Sequence, residues 1–255
     1  MEYGLIGEKL GHSYSKEIHE QLADYTYDLQ PLSREEFSSF MAQRNFKAIN
    51  VTIPYKQDVI PYLDEIDEQA RVIGAVNTIV NKNGKLQGHN TDFSGFLYML
   101  EKHNIPVKGK KCLVLGNGGA AKAVIAVLQF LGASQVLTVS RRTSPDTVTY
   151  EECLANHTDA QLIANTTPVG MYPNSNASPI DLTAFPQCES VVDVIYNPLE
   201  TKLTAQAKSL GMTAVTGLEM LVAQALYAVE FFLDTTLDPD QIDIIYQKIA
   251  AEKEN

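Results

Sequence analysis

The chain has 255 residues, 45% of them hydrophobic, with 15 glycines and 11 prolines, which excludes a disordered or collagen-like polymer and allows one or two compact domains. A formal charge of -11 excludes a general nucleic-acid binder, because that affinity comes mainly from cations that neutralise phosphates; any phosphate site has to be local. Cys112, Cys153 and Cys188 form no CxxC pair, the N-terminus has no apolar leader, and the longest apolar run, 220–229, is about half of the ~20 residues of a membrane helix, so a cytoplasmic protein without a membrane partner is expected.

Short β-rich runs alternate with helical stretches, which predicts an α/β fold on a mainly parallel sheet. In chain order, strands are expected at 3–6, 48–53, 75–80, 111–115, 135–140, 161–164, 190–194 and 213–215. Ser33 with Glu36 three residues later predicts a capped helix whose inner face is Phe37, Phe40 and Met41. Asn83-Gly84 between two β-rich runs predicts a type I′ hairpin. A helix over 92–103, followed by Asn104-Ile105-Pro106, marks a crossing to a second lobe that starts near Lys108. The stretch 166–179, rich in Pro, Asn and Ser, reads as a loop close to a ligand. Leu218, Leu221, Val222, Ala225, Leu226 and Val229 recur at helical spacing as a core face, and Asp238-Pro239 with Gln241 starts a last helix.

The run 111–142 has the order of a dinucleotide site. An apolar strand feeds Gly116-Asn117-Gly118-Gly119-Ala120, a long amphipathic stretch follows, and then a second strand. Glycine permits the tight turn and the close approach of backbone to pyrophosphate, whose charge rests on the helix N-terminus. Ala121 occupies the third glycine's place. The bland alternative is a turn that merely packs a helix on a sheet. An NAD site offers a carboxylate to the ribose about 20 residues on, yet no acidic residue lies between Gly116 and Pro145. The second strand ends in Ser140-Arg141-Arg142-Thr143, where a guanidinium can pair with a 2′-phosphate. NADP is therefore expected over NAD, the alternative being two solvated surface arginines.

The remaining lobe carries Gly11-His12-Ser13-Tyr14-Ser15, Asn50-Val51-Thr52-Ile53-Pro54-Tyr55-Lys56, Gly74-Ala75-Val76-Asn77-Thr78 and His89-Asn90-Thr91-Asp92, polar clusters where apolar strands end. Together with the glycine turn and Gly217-Leu218-Glu219-Met220-Leu221-Val222-Ala223-Gln224, these six motifs resemble those of the shikimate dehydrogenase family, in the same order and over nearly the whole chain. Lys16 after the serines, Asn117 in the turn and Ser140-Arg141-Arg142 in place of Asn-Arg-Thr at the end of the second strand depart from the family's commoner residues.

The resemblance implies a two-lobed α/β fold, with a substrate-binding domain at 1–101 and 219–255 and an NADP-binding Rossmann domain at 102–218. It implies reversible NADPH-dependent reduction of 3-dehydroshikimate to shikimate on the route to chorismate and the aromatic amino acids. Quinate/shikimate dehydrogenase and a non-catalytic NADP(H)-sensing homologue are the alternatives. Lys56 and Asp92 are implied as catalytic. Ser13 and Ser15 would grip the substrate carboxylate, while Thr52, Asn77, Asp92, Gln224 and Tyr196 would hold the rest of it. On the cofactor side the match gives Glu68, Gly116, Asn117, Gly118, Gly119, Ala120, Ser140, Arg141, Arg142, Thr166, Val194 and Gly217. Partners beyond the small-molecule substrate are limited to a second copy, monomer and homodimer both standing open.

Elementary chemistry agrees with these roles. Hydride delivered to a carbonyl leaves an alkoxide, so a proton donor must stand within hydrogen-bond reach, and Lys56 with Asp92 is the best pair available. On spacing alone Lys56 reads as a solvated lysine, Asp92 as the N-cap of the helix that follows it, and Ser15 as a cap for the helix carrying Ile18 and Leu22. His12 reads as a loop-stabilising residue, His19, His103 and His157 as surface or packing residues, and no metal-ligand spacing is present.

Overall fold

The computed structural model describes residues 1–11, 13–142 and 144–253; His12 and Thr143, two of the motif residues above, lie outside the described residues. The chain forms two compact units, Met1–Gly95 with Val222–Ile249, and Phe96–Leu221 with the described residues from Ala250 onward.

The first unit runs β1 (Tyr3–Gly7), α1 (Ser15–Leu22), β2 (Tyr27–Pro31), α2 (Arg34–Gln43), β3 (Ala48–Val51), β4 (Glu65–Ile66), α3 (Glu68–Ile73), β5 (Thr78–Lys82), β6 (Lys85–His89) and the start of α4 (Thr91–Lys102). Its sheet has the order β2-β1-β3-β5-β6-β4. β1 pairs in parallel with β2 and β3, whereas β5 is antiparallel to both β3 and β6. The sheet is thus mixed. Its reversal is the predicted hairpin, with Asn83 at φ 55° and Gly84 at φ 88°, the two left-handed residues a type I′ turn demands.

Strand alternation sends Ile6, Ile49 and Ile79 to one sheet face, where they meet Phe37 and Met41 of α2. Leu5, Ala48 and Val80 go to the other face, against Ala228 and Phe232 of a C-terminal helix. α2 begins as expected: Ser33 Oγ accepts from the Glu36 N–H, and Glu36 Oε2 accepts from the Ser33 N–H.

The second unit contains β7 (Lys111–Leu115), α5 (Gly119–Phe130), β8 (Gln135–Val139), β9 (Thr147–Val148), α6 (Tyr150–Asn156), β10 (Leu162–Asn165), β11 (Ser190–Asp193), α7 (Lys202–Ser209) and β12 (Thr213–Thr216). All its ladders are parallel, in the order β12-β11-β10-β7-β8-β9. Numbered within the unit, that is the doubly wound Rossmann order, whose switch point lies between β7 and β10. Then α8 (Leu218–Leu233) leads back to the first unit, followed by α9 (Asp240–Lys253). Asp238 Oδ1 accepts from the Asp240 N–H at 3.0 Å, so it serves the start of α9 as its sequence position predicts. Among the described residues no helix is long and apolar enough to cross a membrane.

Three strands, β2, β4 and β9, were not expected, and β5 begins at Thr78 rather than at 75. Residues 75–77 lie outside the ladder, with a bend at Asn77, and other segments bind them: the Val76 N–H donates to Lys56 O, the Asn77 N–H to His89 O, and Asn90 Nδ2 to Ala75 O.

Candidate active site

Ligands of open α/β sheets bind beyond the carboxyl ends of strands, at the point where strand order reverses. In the first unit that point lies between β1 and β3. A Cβ added at Gly7 would stand 2.5 Å from the γ-methyl of Thr52, and the Thr52 N–H donates to Ile6 O, so the segments leaving β1 and β3 run in close contact. The first leads to Ser13 and Ser15, the second to Thr52 and Lys56. Because β5 is antiparallel, its beginning, with Asn77, falls at this same edge, and so does the end of β6, which delivers Asp92.

Lys56 and Asp92 meet there. Lys56 Nζ donates to Asp92 Oδ2 at 2.5 Å, and the two side chains are only 13% and 9% exposed. The solvated-lysine reading therefore fails. The capping reading of Asp92 fails as well, because α4 already starts at Thr91 and Asn90 Oδ1 accepts from the Phe93 N–H. With Asn90 serving the helix start, the Asp92 carboxylate is available for the lysine.

Asn77 Nδ2 donates to Asp92 Oδ1 at 3.0 Å and contacts Gln224 Oε1 at 3.4 Å, so α8 brings Gln224 to the same cluster. Asn77, Asp92 and Gln224 are all buried. Ser15 is the first residue of α1, whose cap position, Tyr14, makes no side-chain cap bond. Ser15 Oγ instead accepts from Ser13 Oγ at 3.0 Å, and the two hydroxyls stand as a pair. His89 turns elsewhere: its Nδ1 faces Asp67 Oδ2 at 2.6 Å and its ring stacks on Phe231. Burial pushes the Asp67 carboxyl up, but hydrogen bonds from His89 and the Ala70 N–H outweigh that and hold it below the ordinary value. Glu68 is exposed on α3, next to this pair.

The second unit brings its own predicted residues together at its switch point. Gly116 follows β7 at φ 105°, and a Cβ there would meet Thr166 Oγ1 at 2.8 Å; that hydroxyl donates to Leu115 O. Asn117 and Gly118 are exposed, and a Cβ on Gly118 would meet nothing within 4 Å. α5 then starts with no capping side chain and no acid in its first turn. A narrow glycine turn that opens on uncapped helix N–H groups fits a pyrophosphate. Ser140, Arg141 and Arg142 follow β8. Both arginines are exposed, and neither guanidinium makes an ion pair among the described residues, so both are available to a phosphate.

Val194 and Gly217 also meet. The Gly217 N–H donates to Ile195 O, and a Cβ at Gly217 would stand 2.1 Å from Val194 O. The loop that bears Val194 and Tyr196 is held by Asp193, which is fully buried. Its carboxylate accepts from Asn165 Nδ2, the Ile195 N–H and Thr201 Oγ1. Burial nevertheless pushes that carboxyl up to about 6 against these three donors.

Asn50, Thr78, Asn90, Thr91 and Asp193 were not singled out as site residues from the sequence. Four of them stand inside the quoted motifs, and a polar residue next to an apolar strand is the signal that was available.

A glycine turn that suits pyrophosphate, two available arginines past the second strand and a buried lysine–carboxylate pair define an NADP-dependent oxidoreductase acting on a hydroxyl or ketone. The family model described as the shikimate dehydrogenase substrate binding domain matches residues 5–79. The shikimate dehydrogenase (NADP(+)) of Clostridium beijerinckii is 40% identical over 253 residues, covering 92% of this chain and 93% of its own. Shikimate dehydrogenase 1 of Peptoclostridium difficile superposes with a TM-score of 0.91 at 35% identity, over 99% of both chains. Shikimate 5-dehydrogenase of Thermus thermophilus, solved with NADP(H) and shikimate, gives a TM-score of 0.85 at 30% identity over 97% of this chain and 99% of that one. This chain belongs to the shikimate dehydrogenase family.

Proposed function

We propose that Lys56, oriented by Asp92, carries the proton in the reversible NADPH-dependent reduction of 3-dehydroshikimate to shikimate. The observation behind this is the buried 2.5 Å contact between Lys56 Nζ and Asp92 Oδ2. When bound, NADPH supplies the hydride. As the ketone oxygen gains negative charge, the Lys56 ammonium donates a proton to it; in the oxidative direction the lysine takes that proton back. Asp92 fixes the ammonium within reach and balances its charge at a site where burial makes an unpaired cation costly.

In this reading Ser13 and Ser15 hold the substrate carboxylate. Thr52, Asn77, Asp92 and Gln224 hold the ring hydroxyls, and Tyr196 also reaches the substrate. Gly116, Asn117, Gly118, Gly119 and Ala120 take the pyrophosphate, Ser140, Arg141 and Arg142 the 2′-phosphate, and Thr166, Val194 and Gly217 the nicotinamide side, with Glu68 a minor cofactor contact. The first unit serves as the substrate domain and the second as the NADP domain.

The test is reduced-nicotinamide absorbance with shikimate or quinate, each with NADP or NAD. Turnover mainly with shikimate and NADP is expected. Comparable turnover with quinate or NAD moves the chain to the quinate/shikimate relatives, and NADP binding without turnover makes it a sensor. Lys56→Ala is expected to lower kcat by about 10²–10⁴-fold with NADP binding retained. Unchanged turnover in that variant removes Lys56 from the mechanism.

A further inference from the structure

Behind the Lys56–Asp92 pair lies a continuous line of buried polar side chains that reaches the far strand of the first unit. Tyr27 Oη meets Asn50 Oδ1 at 2.7 Å. Asn50 Nδ2 meets Thr78 Oγ1 at 3.1 Å and Asn77 O at 3.2 Å. Thr78 Oγ1 meets Asn77 Oδ1 at 2.9 Å, and Asn77 Nδ2 meets Asp92 Oδ1 at 3.0 Å. Every member is at most 6% exposed.

The orientation of both amides is imposed by groups that can only donate or only accept. The Thr91 backbone N–H, a donor only, lies 2.7 Å from Asn77 Oδ1. That fixes which end of the Asn77 amide is oxygen and turns its NH₂ to the carboxylate. Asn77 O is an acceptor only, so it fixes the Asn50 amide in the same way and leaves Asn50 Oδ1 to face Tyr27. Burial pushes the Tyr27 phenol well above its ordinary value, so the hydroxyl keeps its proton and donates. Thr78 has one proton; Asn50 Nδ2 donates to its oxygen, and of the two acceptors that proton can reach, Asn77 Oδ1 at 2.9 Å is nearer than Thr91 Oγ1 at 3.1 Å.

We infer that Tyr27, Asn50 and Thr78 are positioning residues for the Lys56–Asp92 pair, forming a one-way donor chain that ends on Asp92 Oδ1 and leaves Oδ2 for the lysine. None of the three touches the ammonium. They act through Asn77, whose Oδ1 accepts from the Thr91 N–H and from Thr78 Oγ1, so the chain adds a second donor that holds the amide with its NH₂ on the carboxylate. Bonds aligned in one sense polarise one another, and in a buried site one reversed or missing link is costly. The inference rests on the proposed role of Lys56 and Asp92.

The experiment compares Thr78→Val, which removes the hydroxyl at nearly constant shape, with Thr78→Ser, which keeps it, and with Tyr27→Phe, which deletes the first donor. Lys56→Ala runs beside them. Thr78→Val is expected to lower kcat by about tenfold, in the range seen when outer-shell partners of a site are lost, with KM for NADP unchanged. Thr78→Ser is expected to restore kcat to within about twofold, and Tyr27→Phe to lower it by a smaller factor. Thermal midpoints and NADP affinity check that each variant is folded; should Thr78→Val fail to fold, Tyr27→Phe carries the same kcat comparison. Wild-type kcat in folded Thr78→Val or, in its stead, Tyr27→Phe, or equal damage from Val and Ser at 78, overturns the relay while an inactive Lys56→Ala leaves the proton-carrier assignment standing. An active Lys56→Ala instead overturns that assignment itself.

Discussion

A methyl group at position 217 would stand 2.1 Å from the carbonyl oxygen of Val194 and 2.4 Å from its carbonyl carbon. Both are backbone atoms, and neither can rotate away as a flexible side chain would. Gly217→Ala must therefore push β11's outgoing loop and the start of α8 apart, weakening the Gly217 N–H bond to Ile195 O. The expected cost is about 1–3 kcal/mol, seen as a lower thermal midpoint with a loss of turnover, because Val194 moves with the loop. Gly11→Ala serves as the control, since its added methyl meets nothing within 4 Å. An unchanged midpoint in Gly217→Ala would refute the packing argument. At this scale residue types are legible in the sequence, but not which of two neighbours does which work. Asp92 and Asn90 are both good caps by type; only the tertiary pairing with Lys56, 36 positions away in the chain, decides that Asn90 serves the helix and Asp92 the lysine.

In the proposed function the element that sets cofactor choice is the end of β8. Ser140 Oγ accepts from the Arg142 N–H, bending the chain just past the strand, and both guanidinium groups are left to solvent. Arg141→Ala is expected to raise the Kd of NADP by about tenfold or more, since a hydrogen bond to a charged group contributes ~1.5–3 kcal/mol. The Kd of NAD, which lacks the phosphate, stays within about twofold. Equal weakening of both would place Arg141 elsewhere than on the phosphate. The sheet that carries this site was legible because its central strands hold unbroken apolar stretches, Cys112–Leu115 in β7 and Leu162–Ala164 in β10, as parallel strands covered on both faces must. The strands that were not legible lie at sheet edges. β2 is Tyr-Asp-Leu-Gln-Pro, β4 a pair of residues, β9 likewise a pair. Charge, proline and shortness are how edges avoid pairing with other chains, and those same features erase the β pattern from the sequence. Of the site, the motifs marked the ends of the elements, but the relay from Tyr27 starts on one of these edge strands, so nothing local tied Tyr27 to Lys56.

Each of the two units carries a buried group that titrates on the acid side of neutrality and whose charge burial opposes, and the two respond to acid in opposite directions. In the first unit His19 is fully buried, stacked 4.0 Å from Tyr27 with Nδ1 on Tyr25 Oη, and burial lowers its pKa from 6.5 to about 3. The unfolded chain takes up this proton first as pH falls, so the stability His19 lends is fully present above about 6.5 and is lost as pH drops toward 3. In the second unit Asp193 is raised from 3.8 to about 6. Here the folded state takes up the proton first, so this unit's stability is greatest below about 3.8, falls as pH rises through about 6, and is level above that. At about 1.4 kcal/mol per pKa unit, either shift is large against ordinary domain stabilities. Acidification from pH 7 to 4 is therefore expected to destabilise the first unit and to stabilise the second. Pulsed hydrogen exchange across that range checks this: peptides covering α1, β2 and α8's Phe232 should lose protection before those covering β7, β10 and β11. His19→Phe should flatten the first unit's response, since an aromatic ring without a titrating nitrogen keeps the stack, and Asp193→Asn should remove the second unit's gain. Loss of protection in both units at one pH, unaltered by either substitution, would show that other groups govern the acid response.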